Sequence, residues 1–387
     1  MPTLVRVEGM EHQVASTNGG ATGLWGQIVT ASSISFDTTI KHTGLASLKV
    51  VESGAAACGI YPIIAASQNV IVGSMYIYMD ANPSVNSRIM CSFVTAGVGA
   101  TLCDVTTAGV IRMQCGDGTV QSSGITVTDA AWHRLDWYSD ISGATKTVKW
   151  TVDGVAQTDA TSTTNTATAY NTANPALGSN ISTHTATCWY DCLLLSHIAA
   201  DYPIGVADGY DHYKVLGFLP DGAGTDNNPS SYLQDEAGNA PLFSDINEWP
   251  SEATDYIRQI TLESTHYAEF TLEDTTETTI WDVQGVLAYT SEATQANNGT
   301  TRIVLSDGTT VEDIFSGDMS DGSTTNHFYK SNLLTRPAGG WTQTNFNGSK
   351  VRIGFATDAT PDPYWLGVLL QVAVPVSADT LFAQALF

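Results

Sequence analysis

The chain of 387 residues has little positive charge: 15 Lys and Arg stand against 39 Asp and Glu, a formal net charge of −24. It has no basic cluster, and such a chain is repelled by nucleic acid and by anionic lipid. No run of 18 or more apolar residues occurs, so we predict no membrane span. The first residues contain no apolar stretch of signal-peptide length, which predicts synthesis in a cytoplasm.

The patterns of several enzyme classes are also missing. We find no His-Glu-x-x-His, no Gly-x-Ser-x-Gly, no phosphate loop and no dinucleotide fingerprint. A retaining glucanase needs paired carboxylates, usually as Glu-x-Asp-x-x-Glu. Residues 1–200 hold only Glu8, Glu11 and Glu52, and none has that spacing. We therefore expect that the chain is not an enzyme, although a pair of Asp residues stays open.

Cysteine is sparse and confined to the first half of the chain. No Cys-x-x-Cys pair occurs, which disfavours zinc, and the four-residue separation of Cys188 and Cys192 is too long for a bond within one strand. Buried free thiols are the favoured interpretation, and one or two disulfides are the alternative. The six cysteines are Cys58, Cys91, Cys103, Cys115, Cys188 and Cys192.

The polar residues that are present are mostly uncharged. Only 14% of residues are charged and 43% are hydrophobic, which argues against disorder. Thr, Ser, Asn and Gly supply the polarity, as in chains of short strands and turns. Residues 1–200 carry 13 acidic and 8 basic residues, a net charge of −5, so the remainder carries −19. The length and this asymmetry predict more than one domain.

Strand patterns recur in both halves, and residues 1–200 contain no window with convincing helical periodicity. In the segment 132–138, alternation places Trp132, Arg134, Asp136 and Tyr138 on one face. Asp153-Gly154 predicts a hairpin turn after the strand 146–152. We predict further strands at 70–79, 188–196, 213–219, 279–289, 300–305, 350–355 and 365–375.

The predicted fold is therefore all-β, with two jelly-roll-like β-sandwich domains. Residues 1–200 form the first domain and residues 251–387 the second. Between them, residues 201–250 are rich in Asp, Gly, Pro and Asn, which predicts an extended acidic connector.

Several segments, in this order, resemble a known family. Residues 1–200 resemble a laminin-G-like, concanavalin-A-type jelly roll, and the chain from about 208 resembles tailed-bacteriophage structural proteins in which a second β-domain follows. The segments that carry the resemblance are Val7–Glu11, Lys41–Val50, Trp132–Trp137, Val152–Val155, Trp189–Leu193, Tyr213–Gly222, Glu248–Ile257 and Trp341–Gly348.

The resemblance implies a non-enzymatic structural component of a tailed-phage virion. A tail, tail-tip or adsorption component is favoured, and a capsid decoration or vertex protein comes next. Its partners would be other virion proteins and copies of itself, and it would be assembled in the bacterial cytoplasm and located in the virion. The alternative is a carbohydrate-binding module that recognises a host surface glycan.

Two sets of residues are candidate binding positions. Jelly rolls of this family often bind calcium, and hard cations prefer clusters of oxygen ligands. The oxygen-rich loops with Asp221, Asp226, Asn228, Asp318 and Asp321 are therefore calcium candidates, although turn formation also accounts for them. No other cofactor is expected. The apolar C-terminus predicts a subunit contact or packing within the chain through Leu381, Phe382, Leu386 and Phe387.

Overall fold

The structure is a computed structural model that describes residues 1–14, 24–30, 33–64, 68–94, 99–164, 168–171, 174–179, 181–210, 212–225, 232–249, 255–260, 265–291, 298–305, 309–319, 327–354 and 363–376. These residues form 27 strands, one short α-helix and a few 3-10 turns. The all-β prediction is confirmed. None of the helices within these ranges is long and apolar enough to cross a membrane.

The described residues divide into two compact units, with the boundary between Val215 and Leu216. That boundary lies inside the predicted connector 201–250, and the segment is not simply extended. It contributes three strands and short 3-10 turns, because alternating apolar residues such as Tyr213, Val215 and Phe218 are buried. Residues 201–215 belong to the first unit and the described residues from 216 to 249 to the second.

A nine-stranded antiparallel sheet forms one layer of the first unit. Its order is β13-β12-β11-β6-β16-β4-β3, with β1 paired to β16 and β14 paired to β12. Its strands are β1 (Leu4–Glu8), β3 (Ile34–Asp37), β4 (Ser47–Val51), β6 (Val70–Tyr78), β11 (Trp132–Asp140), β12 (Lys146–Val152), β13 (Val155–Ala156), β14 (Ala160–Ser162) and β16 (Thr187–Ser196).

A seven-stranded sheet forms the other layer, in the order β10-β9-β8-β7-β15-β5-β2. Its strands are β2 (Gln27–Val29), β5 (Cys58–Tyr61), β7 (Ser87–Phe93), β8 (Gly99–Val105), β9 (Val110–Cys115), β10 (Val120–Thr126) and β15 (Ala176–Ser179). The Tyr190 hydroxyl donates to the Ile89 carbonyl at 2.5 Å, and the hydroxyls of Ser139 and Thr101 are also 2.5 Å apart. Each contact joins the two sheets, so the first unit is a β-sandwich.

Strand β11 shows how alternation builds this sandwich. Leu135 and Trp137 are fully buried on the face that carries Ser139 toward the seven-stranded sheet. Trp137 pairs with Gly73 of β6, and a Cβ at position 73 would lie 2.0 Å from the indole ring. Only glycine leaves room for this ring, so a residue without a side chain is needed opposite the tryptophan.

The second unit also has two sheets. The six-stranded sheet has the order β19-β20-β27-β22-β25 with β17 paired to β27, and the five-stranded sheet has the order β18-β21-β26-β23-β24. The strands are β17 (His212–Phe218), β18 (Pro220–Ala223), β19 (Leu233–Asp235), β20 (Ile257–Gln259), β21 (Tyr267–Leu272), β22 (Asp282–Ser291), β23 (Asn298–Val304), β24 (Thr310–Asp318), β25 (His327–Leu333), β26 (Lys350–Gly354) and β27 (Pro363–Val376); helix α1 is Gln343–Asn347. The first residues of β17, up to Val215, and the last residues of β27, from Pro375, are assigned to the first unit.

The core of the second unit draws on both of its sheets. Val283, Leu287 and Val368 from the six-stranded sheet and Ile303 and Ile353 from the five-stranded sheet belong to one buried cluster. The predicted strands of this half coincide with β17, β22, β23, β26 and β27 to within a few residues. The sequence Asp307-Gly308 also predicts a hairpin turn, and it lies outside the described residues.

Candidate functional site

The residues predicted to bind calcium are not brought together by the part of the chain that the structure describes. Asp221 is exposed on β18 and accepts a hydrogen bond from the Thr271 hydroxyl at 2.7 Å. Asp318 ends β24, at the opposite edge of the same sheet. The other candidates, Asp226, Asn228 and Asp321, lie outside the described residues, so the calcium site stays a prediction.

A search for metal sites among the described residues finds no group of three or more His, Cys, Asp or Glu side chains suited to hold an ion. The predicted interface residues Leu381, Phe382, Leu386 and Phe387 also lie outside the described ranges. The subunit contact therefore stays a prediction as well.

The most distinctive surface is on the nine-stranded sheet, on the face directed away from the seven-stranded sheet. We call this the outer face. It carries Trp132, Arg134, Asp136 and Tyr138 of β11, as alternation predicts, and Tyr76 and Tyr78 of β6 lie beside them in register. Strand β16 adds Trp189 next to Tyr78, and Asp191 next to Tyr76.

An aromatic row crosses the outer face over three adjacent strands. The ring centroids of Trp132 and Tyr78 are 5.5 Å apart, and those of Tyr78 and Trp189 are 5.4 Å apart. The Lys49 ammonium of β4 lies 4.6 Å from the Trp189 ring centroid. Trp132 and Tyr78 are half-buried, so part of each ring is accessible to a ligand. The aromatic row is defined by Trp132, Tyr78 and Trp189. Because Trp189 is buried, the rings of Trp132 and Tyr78 form the part of the row that is open to stacking.

A buried ion pair lies next to the aromatic row. Arg134 Nη2 donates to Asp136 Oδ1 at 2.8 Å and to the Ile204 carbonyl at 2.6 Å. The other Asp136 oxygen accepts from the Thr151 hydroxyl at 2.9 Å. Both charged side chains are nearly inaccessible, and a buried pair needs such additional hydrogen bonds to offset the loss of water.

A cavity of about 340 Å³ opens beside this ion pair. That volume is at the lower end of the range of small-molecule sites, roughly 300–1,000 Å³. Strand β11 and the β12–β13 hairpin form one wall, and Pro203, Val206 and His212 form the other. The lining residues are Arg134, Asp136, Asp153, Gly154, Val155, Pro203, Val206 and His212.

The hairpin wall is positioned by a predicted motif. Asp153 and Gly154 have φ values of 51° and 75°, as the turn of a two-residue hairpin requires. Asp153 Oδ1 accepts from the Arg134 backbone N–H at 2.8 Å. The other wall was not predicted, because nothing in the sequence of 201–215 indicates that it folds back over β11.

His133 holds the base of this hairpin between two carboxylates. Its Nδ1 lies 2.7 Å from Asp153 and its Nε2 lies 2.9 Å from Asp129. The hydrogen bond to Asp153, supported by that to Asp129, raises the pKa of His133 to about 8 despite burial. The imidazole is therefore largely protonated at neutral pH, with one carboxylate on each nitrogen.

Two further aromatic groups pack on the outer face next to His212, which lines the cavity. His42 stacks on Tyr76 with ring centroids 3.6 Å apart, and the Tyr76 hydroxyl lies 3.3 Å from His212 Nδ1. Burial, followed by the nearby His212, lowers the pKa of His42 to about 3. His42 is therefore neutral at neutral pH and acts as a packing residue on the outer face.

Two buried carboxyls anchor the loop that carries His42. Asp191 Oδ2 accepts from the backbone N–H groups of His42 at 2.9 Å and Thr43 at 3.2 Å, and Glu11 accepts from the Leu45 N–H at 2.6 Å. Burial raises the pKa of Asp191 to about 7. Burial, together with the charge of Asp191, also raises the pKa of Glu11. Both carboxyls are fully enclosed, so they support the loop and do not face a ligand.

No protein-family model and no curated protein matches the chain. Among solved structures, a Trypanosoma rangeli sialidase in complex with the inhibitor DANA matches with 12% identity and a TM-score of 0.35, over 51% of this chain and 31% of that one. The chain thus spans about a third of the sialidase.

Two shorter proteins match with similar scores. Domain 4 of an extracellular GH43 arabinanase from Geobacillus stearothermophilus, in complex with arabinotriose, has 13% identity and a TM-score of 0.31, over 50% of this chain and 93% of that one. A carbohydrate esterase from the Shiga toxin-encoding bacteriophage phi24B has 13% identity and a TM-score of 0.35, over 50% of this chain and 97% of that one.

These findings correct one expectation. The prediction that the chain is not an enzyme is wrong as stated, because a sialidase, an arabinanase domain and a carbohydrate esterase are among the matches. The missing Glu-x-Asp-x-x-Glu pattern argues against one kind of glucanase and leaves other chemistry open. The low identities and TM-scores assign no particular reaction to this chain.

Proposed function

We propose that the first unit recognises carbohydrate through its outer face. The observation that carries the proposal is the aromatic row, placed in register across adjacent strands beside a cavity with a charged wall. Sugar rings present C–H groups on their faces and hydroxyls on their edges. Aromatic side chains with partly exposed rings match the C–H faces, and Asp, Arg and His side chains match the hydroxyls.

The row and the cavity are close enough to serve one ligand. Trp132 and Arg134 are neighbours on the same face of β11, and His42 contacts the Trp132 ring at a centroid distance of 5.8 Å. A ligand that stacks on the half-buried Trp132 and Tyr78 can thus place hydroxyls at the cavity that Arg134 and Asp136 line.

A glycan array tests this proposal, run on the whole chain with and without added calcium. We expect binding to a defined set of glycans, and Trp132→Ala lowers the affinity roughly tenfold or more because it removes a central stacking ring. Tyr232→Ala is the matched control, since Tyr232 of the second unit is also half-buried and stacks on His266 at 4.1 Å.

A folded Trp132→Ala protein that binds every glycan as the wild type does would contradict this site. An array without any hit, in both calcium conditions, would overturn carbohydrate recognition itself. Thermal melting of both variants shows whether a loss of binding comes from unfolding.

We also propose that the chain belongs to a tailed-phage virion, with a tail, tail-tip or adsorption position favoured over capsid decoration or a vertex. Four of the segments that carry the resemblance lie in one sheet: 41–50 reaches β4, 132–137 is in β11, 152–155 forms the β12–β13 turn and 189–193 is in β16. Their arrangement in a single layer supports a common origin with that family. Glycan recognition is suited to adsorption.

The partners in this proposal are other virion proteins and further copies of the chain, with assembly in the bacterial cytoplasm. Mass spectrometry of purified particles tests it, and we expect peptides of this chain at stoichiometric abundance. Particles that contain none of them would sink the virion assignment while leaving carbohydrate recognition standing.

A further inference from the structure

The charged side chains that line the cavity are neutralised by contacts within the protein. Arg134 donates to Asp136, to Ser74 and to the Ile204 carbonyl. Asp136 is fully engaged as well, because its second oxygen accepts from Thr151. This pair presents no net charge to a ligand.

The second acidic group of the lining is neutralised in the same way. One oxygen of Asp153 accepts from the Arg134 backbone N–H, and the other lies 2.7 Å from His133 Nδ1. His133 in turn contacts Asp129, so negative charge exceeds positive charge around this imidazolium. The surroundings of the hairpin therefore carry a net negative charge.

Among the described lining residues, Arg134 and His212 are the side chains that can carry positive charge. Arg134 is committed to Asp136, and His212 Nδ1 lies 3.3 Å from the Tyr76 hydroxyl. A ligand carboxylate that took Arg134 would leave the buried Asp136 without its cation. Breaking a buried pair in this way is strongly unfavourable, so Arg134 is not available to an acidic sugar.

On the aromatic row, the half-buried Lys49 ammonium already lies over the Trp189 ring and interacts with the Asp37 carboxylate. The described cations of the site are therefore already engaged with groups of the protein.

We infer that the site takes glycans without acidic groups, an inference that rests on the proposed function and names its ligand class. The remaining lining fits this class. Val155 and Val206 are exposed at 57% and 38% and contribute an apolar rim, and Trp132 and Tyr78 of the aromatic row offer ring faces. Together they match the C–H faces of an uncharged sugar, while Asp153, whose side chain is 44% exposed, has carboxylate lone pairs that can accept from its hydroxyls.

Matched pairs of oligosaccharides test the inference on the whole chain. The probes are N-acetyllactosamine against its sialylated form, methyl-esterified oligogalacturonides against the free acids, and xylo-oligosaccharides with and without glucuronic acid. We expect the neutral member of any bound pair to bind roughly tenfold or more tightly, since an unpaired buried charge costs more than 1.4 kcal/mol per carboxylate.

The net charge of −24 also repels acidic ligands at long range, and salt separates the two effects. At about 1 M salt the Debye length falls to about 3 Å, so long-range repulsion is screened while the wall of the cavity is unchanged. We expect the preference for the neutral member to persist. A preference that vanishes at high salt would overturn the inference, as would an acidic member that binds as tightly as its neutral partner.

An added cation at the rim gives a gain-of-binding test. Val155→Arg places a guanidinium beside the cavity and is expected to strengthen binding of the acidic member roughly tenfold, because a charge-assisted hydrogen bond becomes available. Val120→Arg is the matched control, since Val120 is 48% exposed on β10 and does not line the cavity. If Val155→Arg and Val120→Arg change the affinity for a bound glycan equally, the result would contradict the inference. If the chain binds no member of any pair, the result would overturn the proposed function itself.

Discussion

At the residue scale, the environment of His133 explains why a lone histidine in a strand can be structurally important. In sequence it is one of eight scattered histidines, and nothing marks it. In the structure it is buried between Asp153 and Asp129, which come from the two turns that flank β11 and β12. Its protonation therefore holds the hairpin that forms one wall of the cavity.

The contribution of His133 to the free energy of unfolding of the first unit should decrease as the pH rises. Its folded pKa of about 8 lies above the ordinary value near 6.5, so its contribution is complete below pH 6.5 and is lost as pH rises through 8. We expect His133→Gln to lower the free energy of unfolding at pH 6 by about 1 kcal/mol, discounted because both carboxylates are half-exposed. Urea denaturation at pH 6, 7 and 8.5 measures this.

The wild-type curve also contains Asp191 and Glu52, whose pKa values burial raises to about 7 and about 8. The carboxyls of Asp191 and Glu52 also destabilise the fold as the pH rises above their ordinary pKa values. The informative quantity is therefore the difference in the free energy of unfolding between wild type and variant at each pH. His197→Gln is the control, because burial lowers the pKa of His197. A histidine with a lowered pKa destabilises the fold at low pH, so the change in the free energy of unfolding caused by His197→Gln has the opposite pH dependence. A His133→Gln difference that is constant from pH 6 to 8.5 would refute the assignment.

At the element scale, the alternation of β11 could be predicted from sequence because a strand places successive side chains on opposite faces. The prediction that Trp132, Arg134, Asp136 and Tyr138 share a face is confirmed. Their partners could not be predicted, since Ser74, Ile204 and Thr151 are distant in sequence. The local sequence around a charged pair in the middle of a strand is the same whether the pair is buried in a hydrogen-bonded network or exposed to solvent. The burial of Arg134 and Asp136 could therefore not be predicted.

Helix α1 is an element whose start is encoded locally. Thr342 Oγ1 accepts from the Asn345 N–H at 3.2 Å, and Asn345 Oδ1 accepts from the Thr342 N–H at 2.8 Å. This reciprocal cap satisfies two backbone donors, and it places Phe346 in the core of the second unit. The Trp-Thr segment that begins at 341, singled out by the resemblance, is therefore a helix cap beside a core residue.

Removal of this cap should destabilise the second unit. We expect Thr342→Ala to lower the free energy of unfolding by about 1 kcal/mol and Thr342→Ser to be nearly neutral, because serine keeps the hydroxyl. Thr344→Ala is the matched control, since Thr344 is exposed within the same helix and changes at such positions lie within about 0.5 kcal/mol. Equal losses in Thr342→Ala and Thr344→Ala, measured by urea denaturation, would exclude the cap.

At the scale of the whole molecule, the six cysteines agree with the favoured interpretation of their sequence. All six are free and buried, distributed over both sheets of the first unit. Burial raises the pKa of the Cys58 and Cys115 thiols to about 11, and a thiol in this state reacts poorly because the thiolate is the nucleophile.

Thiol counting checks this arrangement. We expect the native chain, prepared without reductant, to react negligibly with a thiol reagent over minutes, and the chain in concentrated guanidinium chloride to titrate six thiols. Four or two thiols in the denatured, unreduced protein would reveal disulfides. Rapid labelling of the native chain would show that the packing around the cysteines is open.

The net charge is a second property of the whole molecule. The near-neutral first 200 residues carry the outer face and its cavity wall at β11, while the excess of −19 follows residue 200. The proposed recognition surface is thus on the less repulsive part of the chain.

The sequence alone determined the all-β class, the positions of nine of the 27 strands, the turn at Asp153-Gly154 and the shared face of β11, because alternation and turn chemistry are local. It did not determine that residues 201–215 fold over that face, or that Trp132, Tyr78 and Trp189 align. These depend on register between strands more than 50 residues apart in sequence. Only the tertiary structure decides such pairing, since hydrogen bonds between strands are set by packing of the whole sandwich.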